Sequence, residues 1–407
     1  MVQRRGGHPF RGADRLGGLN PPEVSATPRR LDYGTSITEV CRGDRQLGVS
    51  CRVLPSHRIK GFDGCRALAV VAVFLEHRTA LRATELGHVA VLLFFALSGY
   101  LIVGGLHSDR VGVEAGQRSV FTALRDFIRR RTLRIFPIYY LALGVLAALS
   151  ALGLWSGWSW EAAPWHLLYL SNVYQAYVLG TWQDTFGHLW SLAIEEQFYL
   201  FAAPTLLLIP ARRHAVVCAV VVAVGACVGL AHVAQGASRI VWVTDSMANF
   251  AFLAMGGFAR TALSRWRMPA AKWIAPACGL ALLGLGLVRA NDPVNWRMGL
   301  GMLEAGLAAA GLILALADSQ DSLLVRFLEW RPLAALGVVS YAFYLYTDFL
   351  WFAPPWAGPV GHAAAMAVNF MGGLALATAS WWLIEKPLIA WGRRARPAAP
   401  RTAIART

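Results

Sequence analysis

In the apolar stretch GFDGCRALAVVAVFLEHRTA, Arg66 stands near one end, and Glu76 and His77 stand near the other. The interval from Arg66 to His77 is about 1100° of helix, roughly 20° past three full turns and about 16 Å along the axis. Both side chains would therefore share one face. Such a face suits an extended donor, with phosphates against the guanidinium and the reacting end against an imidazole, the side chain best matched to general-base work near neutral pH. Read as structure alone, Arg66 is a charge anchor at the cytosolic rim and His77 a hydrogen-bonded polar residue near the outer one. Glu76 is a neighbouring acid, but adjacent helical residues point about 100° apart, so it need not be the group that orients His77.

Two further clusters share this character. In FIRRRTLRIFPIYY, Arg131 and Arg134 are spaced i, i+3 on one helix face just before Pro137, and Arg129 and Arg130 add charge nearby. Guanidinium pairs bind phosphate bidentately, although a lipid-headgroup anchor has the same composition. In GHLWSLAIEEQFYL, Glu195, Glu196 and Gln197 interrupt a run otherwise fit for lipid, so they must face protein or water. Loop charge places these acids toward the outer side, with His77; holding helices together is the structural alternative. Weaker signals are Ser98 and Gly99 in FFALSGYLI, Asp245, the SYAFYLYTDF run with Tyr341, Tyr344, Thr347 and Asp348, and a terminal Glu385-Lys386-Pro387 that reads as a structural lock.

The elements that must position these residues are membrane helices. The chain has 407 residues, 56% of them hydrophobic and only 15% charged, with a mean hydropathy of +0.46, more apolar sequence than a soluble domain of this length can bury. At about 20 apolar residues per span, about ten candidates are expected: 64 to 82, 87 to 107, 136 to 154, 188 to 210, 214 to 234, 246 to 264, 270 to 290, 297 to 317, 333 to 353 and 362 to 384. Residues 164 to 180 carry Asn172 and Gln175 and read as an interfacial or re-entrant piece. The fold class expected is an all-α polytopic bundle over 58–390. It is flanked by a basic, disordered cytosolic tail over 1–57, with Val49 or Val53 as alternative starts, and by a basic tail over 391–407.

The net charge of +15 resembles a nucleic-acid signature, but the arginines fall in the tails and in alternate short loops. The connection from 107 to 135 is rich in Arg; the one from 155 to 187 has none. That alternation is the positive-inside pattern, with both termini cytosolic, and no nucleic-acid partner is expected. Trp155, Trp158, Trp160, Trp165, Trp351 and Trp356 suit an interfacial belt. Of the cysteines, Cys41 and Cys51 lie in the tail, and Cys65, Cys218, Cys227 and Cys278 in or beside apolar runs, so no disulfide framework is expected. No metal site is expected either.

In this order, the GFDGCRALAVVAVFLEH opening, FFALSGYLI, the Arg131/Arg134 pair before Pro137, LWSLAIEEQFYL, SYAFYLY and IEKP resemble the membrane acyltransferase 3 family, over about Ile59 to Pro387. The family includes O-acetyltransferases of lipopolysaccharide, exopolysaccharide and Nod factors, and macrolide O-acyltransferases. The resemblance implies that His77 is the essential imidazole, that Arg66, Arg131 and Arg134 serve the donor, and that Glu195 belongs to the site. Where relatives often read YLWH, this chain has Tyr344-Leu-Tyr-Thr347, so a second histidine is absent there. The chain stops at 407, so the SGNH hydrolase domain that some members append is expected to be missing.

The expected function is a multi-pass inner-membrane O-acyltransferase. It would take an acyl group, acetyl above all, from acyl-CoA as a donor substrate rather than a resident cofactor, and give it to a carbohydrate or macrolide hydroxyl. His77, with Glu195 and Glu196 as the other candidate catalytic groups, would act as general base or be acylated itself. The rival is a transporter or flippase of a glycan or lipid, against which stands the lack of an internal repeat. A non-catalytic scaffold would leave His77 and the two acids unexplained.

Overall fold

The computed structural model describes residues 58–288, 295–349 and 358–394. Within them every regular element is helical. The tail over 1–57, Cys41, Cys51, Trp351, Trp356 and the last residues from 395 on lie outside the described residues.

The helices that frame the molecule are α1 (Phe62–Arg78), α2 (Leu86–Glu114), α3 (Val120–Ala151), α4 (Leu189–Leu208), α5 (His214–Ala234) and α6 (Ser246–Phe258). They are followed by α7 (Ala271–Gly286), α8 (Asn295–Asp318), α9 (Arg331–Val338), α10 (Ser340–Thr347), α11 (Pro359–Ser380) and α12 (Lys386–Arg394). Among the described residues, five segments are long and apolar enough to cross a membrane: Leu86–Glu114, Val120–Ala151, Ala211–Ala234, Leu300–Asp318 and Gly361–Gly392. That is half the expected number. The remaining expected stretches are helical but shorter or interrupted: α1 has 17 residues, α6 has 13 before it loosens into a π-turn over Ala259–Leu263, and α9 and α10 have 8 each. In α4 the Glu195-Glu196-Gln197 cluster breaks the apolar run.

Local signals explain several boundaries. The Ser119 hydroxyl accepts from the Thr122 amide and starts α3; the Asp245 carboxylate accepts from Ala248 at 2.8 Å and starts α6. Helix α3 opens at Val120, well before the expected 136, and runs through Pro137. Proline removes a single ladder bond there, and the helix continues through it from the Arg-rich segment before it into the apolar run after it.

Packing sorts centre from rim. In α2, 72% of the apolar window is buried, whereas in the α5 segment only 11% is, so α2 is a core helix and α5 lies at the rim with most of its surface exposed. Helices α2 and α6 approach backbone to backbone through a reciprocal pair of glycines. A Cβ on Gly99 would collide with the carbonyl of Leu253, and one on Gly256 with that of Ala96. The stretch 164 to 180, expected as an interfacial or re-entrant piece, falls in three short helical turns, Ala163–Leu167, Ser171–Val173 and Tyr174–Leu179. Its buried amides are satisfied: Asn172 donates to the Thr244 carbonyl at 3.0 Å and to Ser246 at 2.9 Å, and Gln175 to the Gly187 carbonyl at 3.2 Å. The four described cysteines are free, with Cys65 and Cys218 buried.

Candidate active site

Helix α1 carries the two ends of the site. At its C-terminal end the His77 Nδ1 lies 3.0 Å and 3.2 Å from the two carboxylate oxygens of Asp348, which follows directly after α10. A carboxylate only accepts, so Nδ1 bears the hydrogen and Nε2 of the neutral ring keeps its lone pair. Two more side chains lie against Asp348, of which one bonds to it. Arg78 donates to it at 2.7 Å and to the Thr347 carbonyl at 3.0 Å. The second, His188, from the turn leading into α4, only packs beside the carboxylate: its Nε2 donates to the Leu345 carbonyl at 3.2 Å, and its buried Nδ1, 3.3 Å from the other oxygen, makes no hydrogen bond. The imidazole of His188 is buried, whereas that of His77 keeps 35% of its side-chain surface exposed.

Glu76 does not take part in this cluster. Its carboxylate accepts from the Gly87 amide at the start of α2, a favourable place for a negative charge, and so clips α1 to α2. Thr347, where relatives often carry a histidine, is buried and its hydroxyl donates to the Tyr344 carbonyl at 3.5 Å. The second imidazole near the reacting end comes from His188 on a different element.

At the other end of α1, Arg66 lines a cavity of about 120 Å³ together with Arg131, Arg134, Glu195 and Tyr199. That is several times what one water needs, roughly 10–15 Å³ on the same measure. Arg66 donates to Asp63 at 2.5 Å, and Asp63 is also held by Arg58 at 2.7 Å. Arg131 stands over the Tyr199 ring, 5.3 Å from its centroid. Among the described residues no carboxylate lies within ion-pairing distance of Arg131 or Arg134. The two guanidinium groups expected on one helix face therefore do meet at one cavity with Arg66, and an anion entering it would find them available.

Glu195 sits with these arginines and not with His77, which corrects the expected outer placement. Seven residues separate it from His188 along α4, about 10 Å of rise, and that depth carries it to the cavity. The Tyr199 hydroxyl donates to it at 2.7 Å and lies 2.7 Å from Ser98 of α2. Glu196 points elsewhere: it does not line the cavity, and its Oε1 is buried without a hydrogen bond. Gln197 braces the fold, donating to the Tyr169 carbonyl at 2.8 Å and to Asn172 at 2.9 Å. At the far end of α11, Glu385 accepts from Ser380 at 3.4 Å, and Lys386 stacks 3.4 Å over Trp382, so these two bind other neighbours and not each other.

Asp348, His188 and Arg78 were not singled out by spacing. An ionisable residue at the end of an apolar run was the available signal for Asp348.

Comparison with known proteins adds the following. The Acyltransferase domain family matches residues 59–386. A protein described as a membrane-bound transacylase, BcsY of Komagataeibacter xylinus, is 29% identical over 311 residues, covering 72% of each chain. One described as a peptidoglycan O-acetyltransferase, YrhL of Bacillus subtilis, is 32% identical over 320 residues, 71% of this chain and 48% of that one. The O-acetyltransferase OatA of Staphylococcus aureus is 26% identical over 318 residues, 71% of this chain and 50% of its own. The chain thus spans about half the length of these two O-acetyltransferases. No solved structure matches it significantly. With a match that takes in both ends of α1, the arginine-lined cavity and α10, the chain belongs to this family of membrane acyltransferases.

Proposed function

We propose that the protein moves a short acyl group from acyl-CoA to a hydroxyl of a carbohydrate acceptor. The observation that carries this reading is the two-ended α1: an imidazole set by a carboxylate at one end and a three-arginine cavity at the other. Phosphates of the donor bind Arg66, Arg131 and Arg134, and the thioester extends toward His77. The His77 Nε2 removes the acceptor hydroxyl proton, and the oxygen attacks the thioester carbonyl carbon. The C–O bond forms as the C–S bond breaks, and the proton passes from the imidazolium to the leaving thiolate. Asp348 stabilises the imidazolium formed in between. A two-step route through an acyl-imidazole uses the same nitrogen. Glu195 orders the cavity through Tyr199.

The relatives described as O-acetyltransferases support an acetyl donor, and the peptidoglycan named for one of them supports a glycan acceptor. In this reading the ten apolar stretches all cross the plasma membrane, with α1, α6 and the α9–α10 pair completed by short flanking turns, and both termini lie in the cytoplasm. The alternation of Arg-rich and Arg-free connections supports that orientation.

The test is transfer of radiolabelled acetyl from acetyl-CoA to polysaccharide or peptidoglycan fragments in vesicles carrying equal amounts of wild type or His77→Ala. Label transferred by the wild type and lost in the variant is the expected result. Equal transfer by both removes His77 from the mechanism; no transfer by either, across donors and acceptor extracts, returns the transporter reading.

A further inference from the structure

Tyr344 of α10 and Ser191 of α4 stand where the arginine cavity stops and the His77 centre begins. Both line the cavity, while His77, Asp348 and His188 do not. Their hydroxyl oxygens are 2.7 Å apart, and the His188 carbonyl lies 3.0 Å from the phenol and 3.1 Å from the serine. Two hydroxyl protons serve these three contacts, so one hydroxyl donates to the other, which donates to the carbonyl. On the outer side the Tyr344 ring meets the His188 imidazole edge to face at 5.4 Å. On the cavity side it faces Phe94 at 6.5 Å. Tyr344 is buried.

We infer that Tyr344, latched by Ser191, is the partition past which the acyl group reaches His77, and that its bulk sets the length of the chain transferred. The inference rests on the acyl-CoA reading above. A donor held by Arg66, Arg131 and Arg134 lies on the near side of the ring, and the base lies on the far side. A two-carbon acyl group needs only a small displacement of the ring, whereas each added methylene demands space that Tyr344, Phe94 and Ser191 already fill. A closed pocket of this kind discriminates one methylene by about 10- to 200-fold.

Acetyl-, butyryl- and hexanoyl-CoA compared in vesicles test this. The wild type should transfer acetyl at least about 10-fold faster than hexanoyl, while hexanoyl-CoA still competes with acetyl-CoA for the donor site, because the arginines lie outside the partition. Tyr344→Ala, and Tyr344→Leu as the variant that keeps more of the packing, should erase most of that preference. Hexanoyl transfer by the wild type as fast as acetyl overturns the inference, as does an unchanged ratio in whichever variant retains acetyl transfer. If neither variant reaches the membrane, the wild-type series decides. If the wild type transfers from none of the three donors, the acyl-CoA reading itself fails and the partition fails with it.

Discussion

Asp348 organises the reacting end, and it does so from 271 residues away in sequence. The helical spacing of Arg66 and His77 was readable because both lie on one helix, where 100° per residue fixes which side chains share a face. No such rule links α1 to the end of α10, so the carboxylate remained one of several polar residues in SYAFYLYTDF. His188 is hidden for the same reason, in a motif where Glu195 and Glu196 are the more costly residues for an apolar run. Asp348→Asn should lower kcat by about 10²- to 10⁴-fold by letting the imidazole adopt the wrong tautomer, with the KM for acyl-CoA little changed. Steady-state kinetics on vesicles would show it, and a matching rise in KM would argue for donor binding instead. Arg131→Ala and Arg134→Ala should do the reverse, raising the donor KM about 10-fold or more with a smaller loss in kcat, as expected where a charge-assisted phosphate contact is removed.

At the scale of elements, close approach matters more than propensity. Gly99 and Gly256 let α2 and α6 touch backbone to backbone, which stations Ser98 beside Tyr199 and so shapes the cavity wall. Gly256→Val should lower the amount of protein recovered in membranes and the midpoint of thermal unfolding in detergent, whereas Gly284→Val, at a position where an added Cβ meets nothing, should leave both near wild type. The places where helices form were legible from apolar runs of about 20 residues. Their interruptions were not: the break between α9 and α10 at Val339 and the loosened turns after α6 and α11 depend on what packs against them. Helix α3 is longer than the expected 136 to 154 because the Arg-rich segment before Pro137 and the apolar run after it form one continuous helix.

For the whole molecule, charge alternation makes a directional prediction. Single cysteines introduced at Ser159 and at Arg125, in a background lacking the native cysteines, should differ in labelling by a membrane-impermeant maleimide on intact cells. Ser159 should react and Arg125 should react only after permeabilisation; the opposite pattern would invert the proposed topology. The burial contrast between α2 and α5 has a parallel at the site, where two imidazoles lie beside one carboxylate but in different environments. His77 shows 35% of its side chain and His188 shows 1%. An acylating reagent such as diethyl pyrocarbonate, added from outside, should therefore mark His77 and spare His188. Because the shielded nitrogen of His77 is the one committed to Asp348, the adduct should form at Nε2. The chemical footprint of the protein would then be a single modified histidine at the site, at the atom assigned to the reaction, and mass spectrometry could read it without an acceptor in hand.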